Sequence, residues 1–220
     1  MSENKLKVIL TGATGMVGEG VLHECLLHPD VEKVLVVGRK PYGLSHPKLQ
    51  ELLHNNFFDL SSIENQLQGY NACFFCLGVS SVGMDKDEYY KLTYTLTMHF
   101  AETLAKQNAD LTFCYISGGG TDENGKMAWA RVKGKTEKDL MQLPFKQVYA
   151  FRPGYLHPTK GLKNTQPYYK YIDWLYPVFR IVFAKHVSTL KQLGLAMINA
   201  TKTKYNKQVI EVKDIHILAE

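Results

Sequence analysis

Short apolar runs in this chain each stop at or beside a glycine, and that pattern constrains its fold more than any other feature. Lys7–Leu10 runs into Thr11-Gly12, Val34–Val37 into Gly38, and Cys73–Leu77 into Gly78. Leu111–Ile116 is followed by Ser117 and three glycines, and Val148–Phe151 by Arg152-Pro153-Gly154. Strands that are apolar on both faces belong to parallel sheets covered on both sides. Helical patterns lie between them: Tyr89, Thr93, Leu96, Phe100 and Leu104 share one face at helical spacing. The alternation predicts an α/β fold, a doubly wound parallel sheet, with a last strand at Gln208–Val212. In such sheets ligands bind beyond the carboxyl ends of the strands, which is where these glycines sit.

The length of 220 residues fits a single domain, 1–220. Its core is expected over residues 5–154, with a small C-terminal lobe or lid over 155–205 on the substrate side. The aromatic segment Tyr168–Phe183 is interrupted by Asp173, Pro177 and Arg180, so it is too polar and broken to span a bilayer. It suits a lid or a subunit contact. The net charge of +5 is mild and no basic run occurs, so no nucleic-acid partner is expected. No apolar stretch is long enough for a membrane span and the N-terminus lacks a signal-type apolar core, so a cytoplasmic protein with reduced thiols is expected. Of the four cysteines, Cys73 and Cys76 form a CxxC on a presumed strand, which puts them on opposite faces as packing residues. The eight histidines form no metal-binding pattern, and no metal is expected. Ser117 lies in no GxSxG elbow, which argues against an α/β-hydrolase.

The segment Thr11-Gly12-Ala13-Thr14-Gly15-Met16-Val17-Gly18 follows the first strand and opens a helix. Strand, glycine turn and helix N-terminus are the context a dinucleotide loop requires. One glycine permits the turn, one lets the backbone approach a pyrophosphate, and one lets helix and strand pack closely. Free N–H groups and the helix dipole favour the phosphates. The second strand ends in Gly38-Arg39-Lys40, where an NAD-selective site usually carries an acid for the ribose hydroxyls. Arg39 suits the 2′-phosphate instead, which predicts NADP(H) in preference to NAD(H). Asp59, after Phe57-Phe58, is placed to reach the adenine side.

TGATGMVG, GRK, FFCLGVSS, YISGGG, RVKGKTE and FRPGYL occur in this order. The series resembles that of the atypical short-chain dehydrogenases/reductases. Within them it is similar to the Tat-interacting-protein-like oxidoreductases and the NAD-dependent epimerase/dehydratase-like proteins, over residues 5 to about 160 and more loosely to 200. The resemblance implies a Rossmann fold and roles for named residues. Gly12, Thr14, Gly15, Met16, Val17 and Gly18 would hold the pyrophosphate, and Arg39 the 2′-phosphate. Asp59 and Leu60 would flank adenine, while Leu77 and Gly78 would lie against the adenosine ribose and cofactor backbone. Ser117 would be the catalytic-site serine and Lys133 the lysine on the nicotinamide ribose. Pro153, Gly154 and Tyr155 would lie by the nicotinamide amide.

One position departs from that pattern. The acid–base tyrosine of YxxxK is replaced by Trp129, in Trp129-Ala130-Arg131-Val132-Lys133. Positions i and i+4 share a helix face, so Trp129 and Lys133 should both point at the nicotinamide. A phenol cycles a proton, whereas an indole N–H only donates. No tyrosine in the chain has a lysine four residues later. Tyr155, Tyr89 and Tyr90 are alternative acids by position only. Glu137, near Lys133 and Lys138, is expected on a solvated helix face. Two functions follow. The first is an NADP(H)-dependent oxidoreductase or epimerase-like enzyme with a non-standard site, acting on a small carbonyl or sugar-like substrate, in a chain for which a homodimer stays open. The second is a non-catalytic NADPH-binding regulator or redox sensor.

Overall fold

The computed structural model describes residues 5–164 and 186–220. Seven strands form one wholly parallel sheet: β1 (Leu6–Thr11), β2 (Val31–Gly38), β3 (Leu49–Leu53), β4 (Ala72–Phe75), β5 (Thr112–Ile116), β6 (Gln147–Arg152) and β9 (Val209–Glu211). Their order is β3-β2-β1-β4-β5-β6-β9, the doubly wound arrangement, and it reverses between β1 and β4. Two short strands, β7 (Tyr155–His157) and β8 (Val187–Thr189), pair separately.

Both faces of the sheet are buried, which is why the strands read as unbroken apolar runs. Val8, Leu10, Val36, Phe74, Cys114, Tyr149 and Phe151 point to one layer. That layer is closed by α1 (Met16–Leu27), α5 (Leu190–Thr203) and α6 (Val212–Leu218). Ile9, Leu35, Val37, Cys73, Phe75, Phe113 and Tyr115 point to the other. There they meet a composite helix and the end of α4 (Ala128–Leu140). The composite helix is α2 (Lys86–Tyr90), a π-turn at Lys91–Thr95, and α3 (Leu96–Gln107). Its expected apolar face is buried at Tyr89, Thr93, Leu96, Phe100 and Leu104. Cys73 faces one layer and Cys76 packs against the other, as a strand pair three apart requires. Burial pushes both thiols well above their ordinary pKa, the reverse of a reactive cysteine.

The expected last strand is β9, one residue shorter at each end. The apolar pattern does not predict β3: it is an edge strand whose side chains are exposed or only half-buried. Part of the span expected as a lid is core instead. Helix α5 buries Leu190, Leu193, Ala196, Met197 and Ile198 against the layer that holds α1. The Tyr168–Phe183 segment lies outside the described residues. Among the described residues, no helix is long and apolar enough to cross a membrane.

Candidate dinucleotide and active site

The crevice opens where β1 and β4 diverge. Thr11 pairs with Phe75 in register, and beyond them the Leu77 amide donates to Thr11 Oγ1 at 3.2 Å. Gly12 has a φ of +75°, and a Cβ there would lie 2.6 Å from Cys76 O. A Cβ on Gly18 would lie 2.1 Å from Gly12 O. The first and third glycines are therefore fixed by backbone contact. The middle one is not: a Cβ on Gly15 would meet only Gly12 O, at 3.4 Å. Gly15 is the N-cap of α1 and offers no side-chain hydrogen bond to the helix. Thr14 and Gly15 are exposed, so the first-turn amides face the crevice with an open approach. A glycine cradle that side chains would fill, ending in an uncapped helix, fits a dinucleotide pyrophosphate.

Two cavities flank this turn. One, of about 180 Å³, is lined by Gly12–Thr14, Val36–Lys40, Phe57 and Leu77. The second, of about 150 Å³, shares Arg39, Phe57 and Leu77 with it and adds Asn55, Asn56, Phe58, Gly78 and Leu92. Arg39 and Lys40 are exposed, and neither side chain has a hydrogen-bond or ion-pair partner among the described residues. The aromatic and amide wall is built from Asn55–Phe58, and Asp59 and Leu60 are not brought to it. The Asp59 carboxylate is turned back to accept from the Ser61 amide and hydroxyl. Leu60 is buried in the core.

The remaining expected residues meet at the ends of β5 and β6. Ser117 is buried, and its amide donates to Phe151 O at 2.8 Å. Thr121 Oγ1 donates its one hydrogen to Gly118 O at 2.7 Å. Its lone pair is left for the Ser117 hydroxyl, 3.1 Å away. A Cβ on Gly118 would touch Trp129 Cζ3 at 3.6 Å and Lys133 Cδ at 3.8 Å. Ser117, Trp129 and Lys133 thus converge on one loop. A Cβ on Gly119 would lie 3.8 Å from both Pro153 O and Gly154 Cα, and a Cβ on Gly154 would strike His186 O. Tyr155 begins β7 beside them.

Lys133 Nζ donates to Ile116 O at 3.2 Å and lies 5.4 Å from the centre of the Tyr115 ring. Burial pushes its pKa down to about 8, against the pull of Glu137. Glu137 is not on a solvated face: it is buried and bound by a residue the helical pattern cannot show. Arg152 Nε and Nη2 donate to its two oxygens at 2.9 and 2.5 Å, and Arg152 Nη1 reaches Glu211. Tyr115 and Tyr89 are buried phenols whose pKa values burial raises.

Sequence reading also misses Glu19. It directly follows the last glycine of the loop, is buried, and accepts from the Lys163 and Asn164 amides at 2.9 and 2.7 Å. It also accepts from Tyr42 Oη at 3.2 Å. It ties the chain after β7 and the loop after β2 to the glycine turn. Its one sequence signal is an acid on an otherwise apolar helical turn.

A parallel sheet of this order, with a glycine turn feeding a helix at its switch point, defines a Rossmann fold. By sequence the chain is similar to the HTATIP2 and FMP52 proteins, which are atypical short-chain dehydrogenases/reductases. It is 29% identical to protein HTATIP2 of Rattus norvegicus over 161 residues, 70% of this chain and 64% of that one. It is 26% identical to protein FMP52, mitochondrial, of Saccharomyces cerevisiae over 151 residues, 66% of this chain and 64% of that one. The chain therefore spans slightly less than two thirds of the length of these relatives. No family model matches it. In fold it resembles a UDP-N-acetylglucosamine 4-epimerase from Methanobrevibacter ruminantium M1, with a TM-score of 0.68 at 15% identity, covering 94% of this chain and 76% of that one. The Bordetella bronchiseptica enzyme WbmF in complex with NAD+ gives 0.66 at 15% identity, covering 100% and 78%. The expectation of a cytoplasmic protein is overturned, because FMP52 relatives carry the name mitochondrial. Targeting lies outside what the periodicity of a folded domain records.

Proposed function

We propose that the chain is an NADP(H)-dependent oxidoreductase acting on a small carbonyl or sugar-like compound. The observation that carries this reading is Arg39. Arg39 lines both cavities beside the glycine turn, and its side chain has no partner among the described residues. A 2′-phosphate would supply the charge-assisted bonds that a cation in this position lacks. The first-turn amides of α1 would hold the pyrophosphate, and Phe57, Phe58 and Leu77 would enclose the adenine end. When bound, the nicotinamide would supply or accept hydride. The chain's own residues do the rest. The Ser117 hydroxyl turns from Thr121 to a substrate oxygen, Lys133 holds a proton at the same loop, and the Trp129 ring covers Gly118 and sheds water from it.

Sugar-nucleotide ligands of structural neighbours suggest the substrate class, and the fold likeness alone supports it. The second reading, a regulator that binds NADPH without turnover, is favoured by Trp129, which cannot cycle a proton. The two are separated by incubating the whole chain with NADPH and a panel of aldehydes, quinones and nucleotide sugars. Consumption of NADPH, lost in Ser117→Ala, supports the enzyme. Thermal stabilisation by NADPH without consumption supports the regulator. Neither effect sinks both.

A further inference from the structure

In YxxxK sites the phenol is the acid, and the lysine assists it. Here the geometry places an ammonium alone. Among the described residues Lys133 Nζ has one hydrogen-bond partner, the neutral carbonyl of Ile116. The carboxylate one turn further along α4, Glu137, has both oxygens bound by Arg152 and makes no ion pair with Lys133. Arg152 is itself anchored on β9 by Glu211. We propose that Lys133, kept from pairing with Glu137 by Arg152, is the proton donor and acceptor of this site in place of the missing phenol. The proposal rests on the oxidoreductase reading and names its acid–base group.

Other groups facing Lys133 do not compete for the role. Tyr115, from β5, lies beneath the ammonium with a strongly raised phenol pKa, and Tyr89 of α2 stands beside Tyr115. Ser117 and Thr121 form a hydroxyl chain ending on a carbonyl. Glu123, from the loop packed on α4, is held by Lys138. Tyr155 begins β7, on the far side of Gly154.

In the reducing direction a dihydronicotinamide is the reductant. The Lys133 ammonium gives one proton to the carbonyl oxygen as hydride reaches the carbonyl carbon. The C=O π bond is replaced by C–H and O–H bonds, and the nicotinamide ring is left oxidised. The neutral amine then takes a proton from water. The burial of Lys133, which brings its pKa to about 8, suits a group that must give up a proton near neutrality.

The test is a 15N NMR titration of the Lys133 side chain in the whole chain, with Arg152→Gln and Glu137→Gln beside it. A midpoint near pH 8 is expected in the parent. Arg152→Gln, which frees Glu137 for Lys133, should raise it by about one pH unit or more. Glu137→Gln should lower it, and stands in should Arg152→Gln fail to fold. A parent midpoint near the ordinary lysine value of about 10.4 overturns the proposal, as does a midpoint that neither variant moves. The second arm is NADPH-dependent reduction of phenanthrenequinone. Its kcat should fall as pH rises through the Lys133 midpoint, and Lys133→Arg should lose about 100-fold while NADPH still binds. A chain that binds NADPH and reduces the quinone equally well as Lys133→Arg, or not at all, overturns the proposal. A chain that binds no NADPH overturns the reading beneath it.

Discussion

Gly18 lies so close to Gly12 that a Cβ on the first would stand 2.1 Å from the carbonyl oxygen of the second. The turn that would cradle phosphates is thus also a packing contact between α1 and β1. Gly18→Ala should lower stability by about 3 kcal/mol, since backbone must shift to admit the methyl. In a chain of this length that is a fall in Tm of roughly 6–12 °C. Gly15→Ala should behave differently. Its Cβ meets nothing closer than 3.4 Å, so Tm should hold within about 2 °C. NADPH affinity should nevertheless drop about tenfold, because the methyl stands in the approach to the helix amides. Calorimetry and a binding isotherm on both variants check the pair. Equal losses of stability would contradict it.

Trp129→Tyr restores a phenol four residues before Lys133. If Lys133 already serves as the acid, carbonyl reduction should change by less than about threefold. General acid–base catalysis contributes about 100-fold or more where it is newly supplied. A gain of that size in steady-state kcat would mean the parent site lacks an acid.

Asp139 couples α4 to the π-turn, accepting from Lys135 Nζ at 2.7 Å and Tyr94 Oη at 2.6 Å. These two partners hold its carboxyl below the ordinary carboxylate range. A depressed folded pKa gives stability that is present above the unfolded value, about 3.9, and is lost as pH falls through the folded one. Asp139→Asn should therefore destabilise the chain at neutral pH and flatten the acid limb of its stability curve. Urea unfolding from pH 7 to pH 2 measures both, and parallel curves for parent and variant would refute the assignment.

The strands that build the crevice were legible because each is buried on both faces, so apolar runs and terminal glycines mark them without ambiguity. The helix from Tyr89 to Leu104 was legible from its one buried face at helical spacing, although its π-turn leaves no trace in that spacing. Strand β3 was hidden because an edge strand with exposed side chains carries neither an apolar run nor clean alternation. Glu137 was misread because its partner Arg152 lies on another element, and a helical wheel records only its own neighbours. The Asp59 carboxylate closes a local turn on Ser61, a short-range partner that the motif spacing does not reveal. The convergence of Ser117, Trp129 and Lys133 was legible from motif order, whereas the Thr121 hydroxyl and the Glu19 tether required coordinates.

Arg39 is proposed to select a 2′-phosphorylated dinucleotide at the glycine turn. The most direct test is a tryptophan-emission titration of the whole chain with NADPH and NADH side by side, in the parent and in Arg39→Ala. Trp129 stands over the Gly118–Gly120 loop, and Trp129→Phe assigns the signal to it. Saturable quenching is predicted, with NADPH preferred. That preference should shrink about 10- to 150-fold in Arg39→Ala, the worth of charge-assisted bonds of roughly 1.5–3 kcal/mol, while NADH binding and Tm stay unchanged. Equal affinities for the two nucleotides, unaltered by the substitution, would contradict the claim.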